Sequence, residues 1–390
     1  MGIDTLISAL RPEAREAPES GIVEVFNYGR ERPGLIPLWA GEGDMPTPAF
    51  IHEAATRSLV EGETFYTYQR GIPPLRQALA DYHRRTFGVT LPVDRFYVTG
   101  SGMHAIELAV RLVAGTGDEV AVPMPAWPNL AAAVGVAGAL PRPVAMRLGN
   151  DGWKLDLDLL FDTVTPRTKA VFLNSPCNPT GWTATRDELS AILAFARQRG
   201  LWIIADEVYH RFFYGAPRSP SFYDIADPDD RVLYVNTFSK NWAMTGWRIG
   251  WLSAPPVLGQ TIENLIQYSN SGVPVFSQRA ATVALNEGDA FIDVQVRRAH
   301  EGRDIICSGL RATGRTRFAE PAGAFYLFFA VEGETDTRRL ALRLVDEANI
   351  GLAPGTAFGD AGAGYMRICF LKSADQMREA TDRLVAWLRK

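Results

Sequence analysis

One pattern constrains this chain more than any other. A short apolar run is followed by a polar or glycine-rich break, and then by a stretch with helical periodicity. The apolar runs are RFYVTG (95–100), DEVAVP (118–123), LPRPVAM (140–146), KAVFLN (169–174), LWIIAD (201–206), RVLYVN (231–236) and RIGWLS (248–253). Helical stretches such as MHAIELAVRLVAG (103–115) and RDELSAILAFARQRG (186–200) lie between them. Strands that are apolar throughout have no solvent side, so alternation with helices predicts an α/β unit. Its sheet is mostly parallel, seven-stranded and covered on both faces. This larger domain is assigned to residues 48–285.

The pattern changes after that. A long helical stretch starts at residue 289, strands are expected at 323–331 and 364–371, and helices at 336–349 and 375–390. These make a second, smaller α+β domain over 286–390. Residues 1–47 are rich in proline, read as irregular, and are expected to pack on the smaller domain. A chain of 390 residues is long enough for two such cores.

Composition removes several classes of function. The net charge of −4 provides no basic footprint for nucleic acid. No stretch approaches the roughly eighteen apolar residues of a membrane helix. The N-terminus lacks a signal-peptide core, and MGIDTL places Leu6 where myristoylation needs Ser or Thr. Three cysteines without metal spacing point to a reducing compartment, the cytoplasm. The five histidines form neither HxH nor HExxH, so no metal site is expected.

Ligands of open α/β sheets sit beyond the carboxyl ends of the strands. Those ends carry TGSGMH, PMPAWPN, NSPCNPTG, DEVYH and NTFSK. Backbone N–H groups of Ser101, Gly102 and Met103 open a helix and suit a phosphate. Trp127 offers a ring to stack on. Asp206 can keep a pyridine nitrogen protonated, and Asn178 and Tyr209 can bond a phenolic oxygen. Arg248, with Thr237 and Ser239, adds charge and hydroxyls at the phosphate. Lys240 is one of only five lysines in a chain with 40 basic residues. Arginine stays protonated, whereas a desolvated lysine can act as an amine nucleophile. Each feature alone has an ordinary explanation: a helix cap, a generic turn, a core tryptophan, a surface ion pair. Together they are the parts that hold a phosphorylated pyridine aldehyde.

On these residues the chain resembles the class I/II aminotransferases of pyridoxal-phosphate fold type I. SKNWAMTGWRIGW matches their lysine signature, NSPCNPTG their Asn-Pro turn, and ADEVYHRF their Asp-Glu-x-Tyr strand end. YTYQRGIPPLRQALA (66–80), GEGDMPTP (41–48) and YMRICF also match, with Gly43 and Met45 as departures. The resemblance implies pyridoxal 5'-phosphate as cofactor and Lys240 as its Schiff-base lysine. It further implies that Arg367 clamps the substrate α-carboxylate, that Gly41 lines the entrance, and that Asn178 and Trp127 also face substrate. Tyr66 would reach the cofactor phosphate of the neighbouring subunit in a homodimer. The implied reaction is ping-pong amino transfer from an L-amino acid to a 2-oxo acid, of aspartate or aromatic type. Trp39, Phe26, Tyr28 and Tyr68 are candidates for a side-chain pocket.

Three other readings are weighed. GSGMHA (100–105) fits a dinucleotide fingerprint, but proline stands at the end of the next strand where an acidic residue is wanted. A DNA-binding regulator is opposed by the short, acidic N-terminus. A C–S β-lyase or another lyase or synthase on the same fold shares nearly every cofactor ligand and stays open at this level.

Overall fold

In the computed structural model, residues 3–390 are described, with side chains from Leu6 onward. The central sheet contains β1 (Phe96–Thr99), β2 (Glu119–Met124), β3 (Leu140–Ala145), β4 (Thr168–Asn174), β5 (Trp202–Asp206), β6 (Val232–Thr237) and β7 (Gly250–Ser253). The order across it is β1-β7-β6-β5-β4-β2-β3. Six strands run parallel; β7 alone is antiparallel to both its neighbours. The predicted α/β architecture with seven strands is therefore the observed one.

The two edges of the sheet differ in burial. β1, β2, β6 and β7 are buried at every residue, while β3, at the edge, is mostly exposed. Pro141 and Pro143 lie on β3, and a proline, which has no N–H to donate, is best tolerated on an edge strand. Two apolar cores fill the two faces. One gathers Ile106, Leu130, Val134, Phe172, Leu233 and Ile262. The other gathers Leu75, Leu79, Leu193, Ile203, Phe238 and Trp251 and continues into the second sheet. The helix Arg186–Arg199 illustrates the local logic. Thr185 and Glu188 close a capping box at its start, and Gly200, at φ 66°, takes the left-handed turn at its end.

The second sheet contains β8 (Thr316–Phe318), β9 (Tyr326–Val331), β10 (Ala353–Pro354) and β11 (Tyr365–Cys369), in the order β8-β9-β11-β10. The first residues of the chain differ from expectation. Helices cover Ile3–Ser8, Pro12–Arg15 and Gly21–Gly29, where irregular chain was read. In the last of them Val25 is buried and Gly29 packs under an indole, so an inward stripe at helical spacing overrides the prolines before it. Ile36 and Pro37 then pair in parallel with Ile350 and Gly351.

Trp39 follows that pairing and is only 2% exposed. Its ring fits because two glycines face it. A Cβ on Gly29 would stand 3.0 Å from the ring, and one on Gly351 only 1.9 Å. We therefore expect Gly351→Ala to displace Trp39. Overpacking of this kind costs about 1–3 kcal/mol. Thermal denaturation should show a clearly lowered midpoint, and an unchanged one would mean that the contact is slack.

Candidate active site

Beyond the carboxyl ends of the strands lies a cavity of about 420 Å³. β1 runs into the helix Gly102–Val113, whose first residues, Gly102 and Met103, line it. Trp127 follows β2, Asn174 ends β4, and Asn178 is in the turn after it. Asp206 ends β5 with Tyr209 just beyond, and β6 leads to Thr237, Ser239 and Lys240. Because β7 is antiparallel, its beginning lies at the same edge as its neighbours' ends. That places Arg248 in the wall. Trp39, Gly41, Tyr326 and Arg367 close the other side.

Twelve of the fourteen residues expected at the site line this cavity. Ser101 is buried just behind it: its Oγ accepts from the His104 N–H at 3.0 Å and caps the helix. Tyr66 is elsewhere, 96% exposed, over a separate hollow of about 460 Å³ shared with Asn270 and Phe276. Among the pocket candidates, Trp39 lines the cavity and Phe26 stacks on it edge-on at 5.7 Å. Tyr28 donates to Asp346 at 2.9 Å on the surface, and Tyr68 is exposed. Sequence reasoning missed Tyr326, Asn174 and Thr245 as lining residues. Asn174 was legible as the polar end of an apolar strand. Tyr326 was hidden in GAFYLFFAV, where it reads as core.

The electrostatics explain what the cavity can hold. Lys240 Nζ donates to the Gly41 carbonyl at 2.7 Å. Burial pushes its amine down to about 8, against the upward pull of Cys369 and Glu42. Asp206 is 3% exposed, and its carboxylate accepts one N–H, that of Val208, at a long 3.4 Å. Burial pushes this carboxyl up to about 7, with the Val208 N–H and the Lys240 charge acting against it. A buried carboxylate so short of donors fits a cationic N–H of a ligand, as a protonated pyridine provides.

Arg367 is 2% exposed. Its Nη2 donates to the Trp39 carbonyl and its Nη1 to Asn178 Oδ1 at 3.1 Å, while the rings of Tyr326 and Phe358 lie over it at 4.7 and 5.0 Å. Among the described residues no carboxylate forms an ion pair with it, so the charge remains for an anionic ligand. At the other end, Thr237 Oγ1 and Ser239 Oγ lie 3.0 Å apart beneath Gly102. A Cβ there would meet Thr237 at 3.1 Å, so the helix start approaches closely with its N–H groups bare. The donor set therefore fits pyridoxal phosphate at each end. Among the described residues no acidic, His or Cys cluster suits a metal.

The other four lysines lie elsewhere. Lys154 and Lys169 pair with Asp151 and Asp118 at 2.9 and 3.6 Å, Lys372 is buried, and Lys390 ends the chain.

The family model described as aminotransferase class I and II matches residues 34–384. A probable N-acetyl-LL-diaminopimelate aminotransferase of Bacillus subtilis is 34% identical over 98% of this chain and 96% of its own. An aspartate aminotransferase of Thermotoga maritima is 33% identical over 91% of each chain. The crystal structure of the Thermotoga maritima aspartate aminotransferase superposes with a TM-score of 0.91 at 31% identity, covering 98% of this chain and 100% of that one.

The lowered basicity of Lys240 is testable on the cofactor-free protein. Reductive methylation read by peptide mass spectrometry should label Lys240 with a pH midpoint near 8. A midpoint at the ordinary lysine value of about 10.4 would show that Lys240 is not desolvated.

Proposed function

This chain belongs to the class I and II aminotransferases and is a pyridoxal-phosphate-dependent aminotransferase; from that premise we propose that the cavity around Lys240 and Arg367 is its active site. The observation that carries the assignment is the convergence of a desolvated amine, a donor-poor buried carboxylate and an unpaired guanidinium in one cavity.

The residues divide the work by their surroundings. Gly102, Met103, Thr237, Ser239 and Arg248 hold the phosphate, with Ser101 fixing the helix start. Asp206 keeps the ring nitrogen protonated, and Trp127 covers a ring face. Tyr209 bonds the phenolic oxygen together with the Asn178 amide N–H, whose own oxygen is taken by Arg367. When bound, the cofactor supplies an aldehyde for amine exchange and a cationic ring that draws electron density from the substrate α-carbon. Arg367, pinned by neutral partners, takes the α-carboxylate in a bidentate grip and orients the α-carbon. Lys240, its amine basic near neutral pH, would lift the proton from that carbon and deliver it two atoms along, on the far side of the amino nitrogen.

The donor is an L-amino acid, the acceptor a 2-oxo acid, and the kinetics are ping-pong. Relatives named for aspartate and for aromatic amino acids support substrates of those kinds. All three cysteines are buried and unpaired, which supports a reducing compartment, the cytoplasm. Among the described residues no helix is long and apolar enough to cross a membrane.

The active unit is a homodimer with shared sites. Tyr66, Phe65 and Tyr268 are 96%, 83% and 86% exposed, an apolar surface of the kind a partner covers. A hollow of about 980 Å³ opens beside Arg248 and runs to Asn270 and Phe276, with room for a partner's tyrosine at the phosphate end.

Lys240→Ala and Lys240→Arg should both abolish turnover, since neither offers a neutral amine. Arg367→Ala should raise KM for every amino donor with the cofactor retained, because a desolvated charge pair is worth about 2–5 kcal/mol. Near-normal turnover of Lys240→Ala, or an unmoved KM in Arg367→Ala, would remove that residue from the site.

Shared sites are tested by mixing Tyr66→Phe chains with Lys240→Ala chains under subunit exchange. In a mixed dimer the Tyr66→Phe chain keeps its own Lys240 and borrows an intact tyrosine. Cofactor affinity at that site should return to the wild-type value. Sedimentation as an active monomer, or affinity fixed at the Tyr66→Phe level, counts against sharing.

A further inference from the structure

Tyr326 stands on β9 with no exposed surface, 117 positions away from Tyr209 in the chain. The two hydroxyl oxygens are 2.9 Å apart, and the rings meet edge to face at 5.6 Å and 88°. Among the described residues Tyr209 is the only hydrogen-bond partner of the Tyr326 hydroxyl. The wall is shaped around that hydroxyl: a Cβ on Gly41 would lie 2.3 Å from it. The same ring forms one side of the aromatic clamp on Arg367, with Phe358 on the other.

Either oxygen could be the donor in this bond. Burial pushes both phenols upward, so each keeps its proton at neutral pH. If Tyr209 donated to Tyr326, the Tyr326 proton would have no acceptor and Tyr209 would have none left for the cavity. If Tyr326 donates, the Tyr209 proton is left for an acceptor in the cavity that both residues line. A donor that is itself an acceptor is polarised and donates more strongly.

Resting on the reading of this cavity as the cofactor site, we propose that Tyr326 is a positioning residue with two separable functions. Its hydroxyl donates to Tyr209 and strengthens the bond from Tyr209 to the cofactor's phenolic oxygen. Its ring holds the Arg367 guanidinium in place for the substrate carboxylate. One side chain thus links the electronic tuning of the cofactor to substrate grip.

The test uses the holoenzyme and reads the pH midpoint of the cofactor's visible absorbance change. Tyr326→Phe keeps the ring and removes the hydroxyl. The phenolate is then less well stabilised, and the midpoint should rise by about half a unit to one unit, with KM for the amino donor changed less than about twofold. Tyr326→Leu also removes the ring and should raise KM by a further factor of about ten. In a Tyr209→Phe background, Tyr326→Phe should add no spectral shift. Should the phenylalanine variant fold poorly, 3-fluorotyrosine at position 326 keeps the shape, donates more strongly and should lower the midpoint. An unmoved midpoint in Tyr326→Phe or in the fluorotyrosine protein overturns the relay, as does an equal shift in the Tyr209→Phe background. An unchanged KM in Tyr326→Leu overturns the clamp. Wild-type protein that shows no visible cofactor band at all rejects the underlying site assignment instead.

Discussion

The site depends on one buried charge. Arg367 draws together four residues from separate parts of the chain: Trp39 by its carbonyl, Asn178 by its amide oxygen, and Tyr326 and Phe358 by their ring faces. Each partner satisfies hydrogen bonds or polarisability without cancelling the charge. An arginine buried against a carboxylate would be more comfortable and of no use, since its attraction would already be spent. Here desolvation is tolerated so that an anion entering the cavity meets an undiminished positive field. The remaining polar groups are arranged around that centre. Asn178 is left with its N–H₂ for other work, and Tyr326 is fixed in the position from which it reaches Tyr209.

The same economy governs the opposite wall. Lys240 and Asp206 face a common space yet are not brought together as an ion pair; the amine bonds the Gly41 carbonyl and the carboxylate a long backbone N–H. Burial shifts each toward its neutral form. A direct salt bridge would lock the amine as an ammonium. Keeping the two apart leaves one free to react and the other free to accept a ligand's N–H. Glu207, next in the chain, shows the contrast. It turns away from the cavity and takes the Ser221 hydroxyl and the Phe222 N–H, tying down the strap that follows.

How much of this was legible in the sequence depended on whether a signal was local. Strand-end residues were readable because the direction of a parallel strand fixes which end faces the ligand, and the apolar runs marked the strands. Arg248 was readable through its spacing from Lys240. The reversal of β7, which accounts for its place in the wall, is a pairing choice that no window of sequence contains. The helix Gly21–Gly29 was hidden by nearby prolines, and it packs on the helix Thr337–Ala348 and on β10, far away in the last quarter of the chain. Tyr326 failed for a related reason. A tyrosine among phenylalanines in an apolar strand looks like filling until its hydroxyl is seen to have a partner.

The scarcity of lysine has a consequence for chemical selectivity. Reactive carbonyl compounds condense with unprotonated amines wherever they find them. Here two of the remaining lysines stand beside aspartates, one is packed into the interior and one ends the chain, while the other basic side chains are guanidinium. Guanidinium keeps the protein charged and hydrated without offering a nucleophile. The outside of the molecule therefore offers aldehydes few amines, and Lys240, whose burial lowers its basicity, meets few rivals for them.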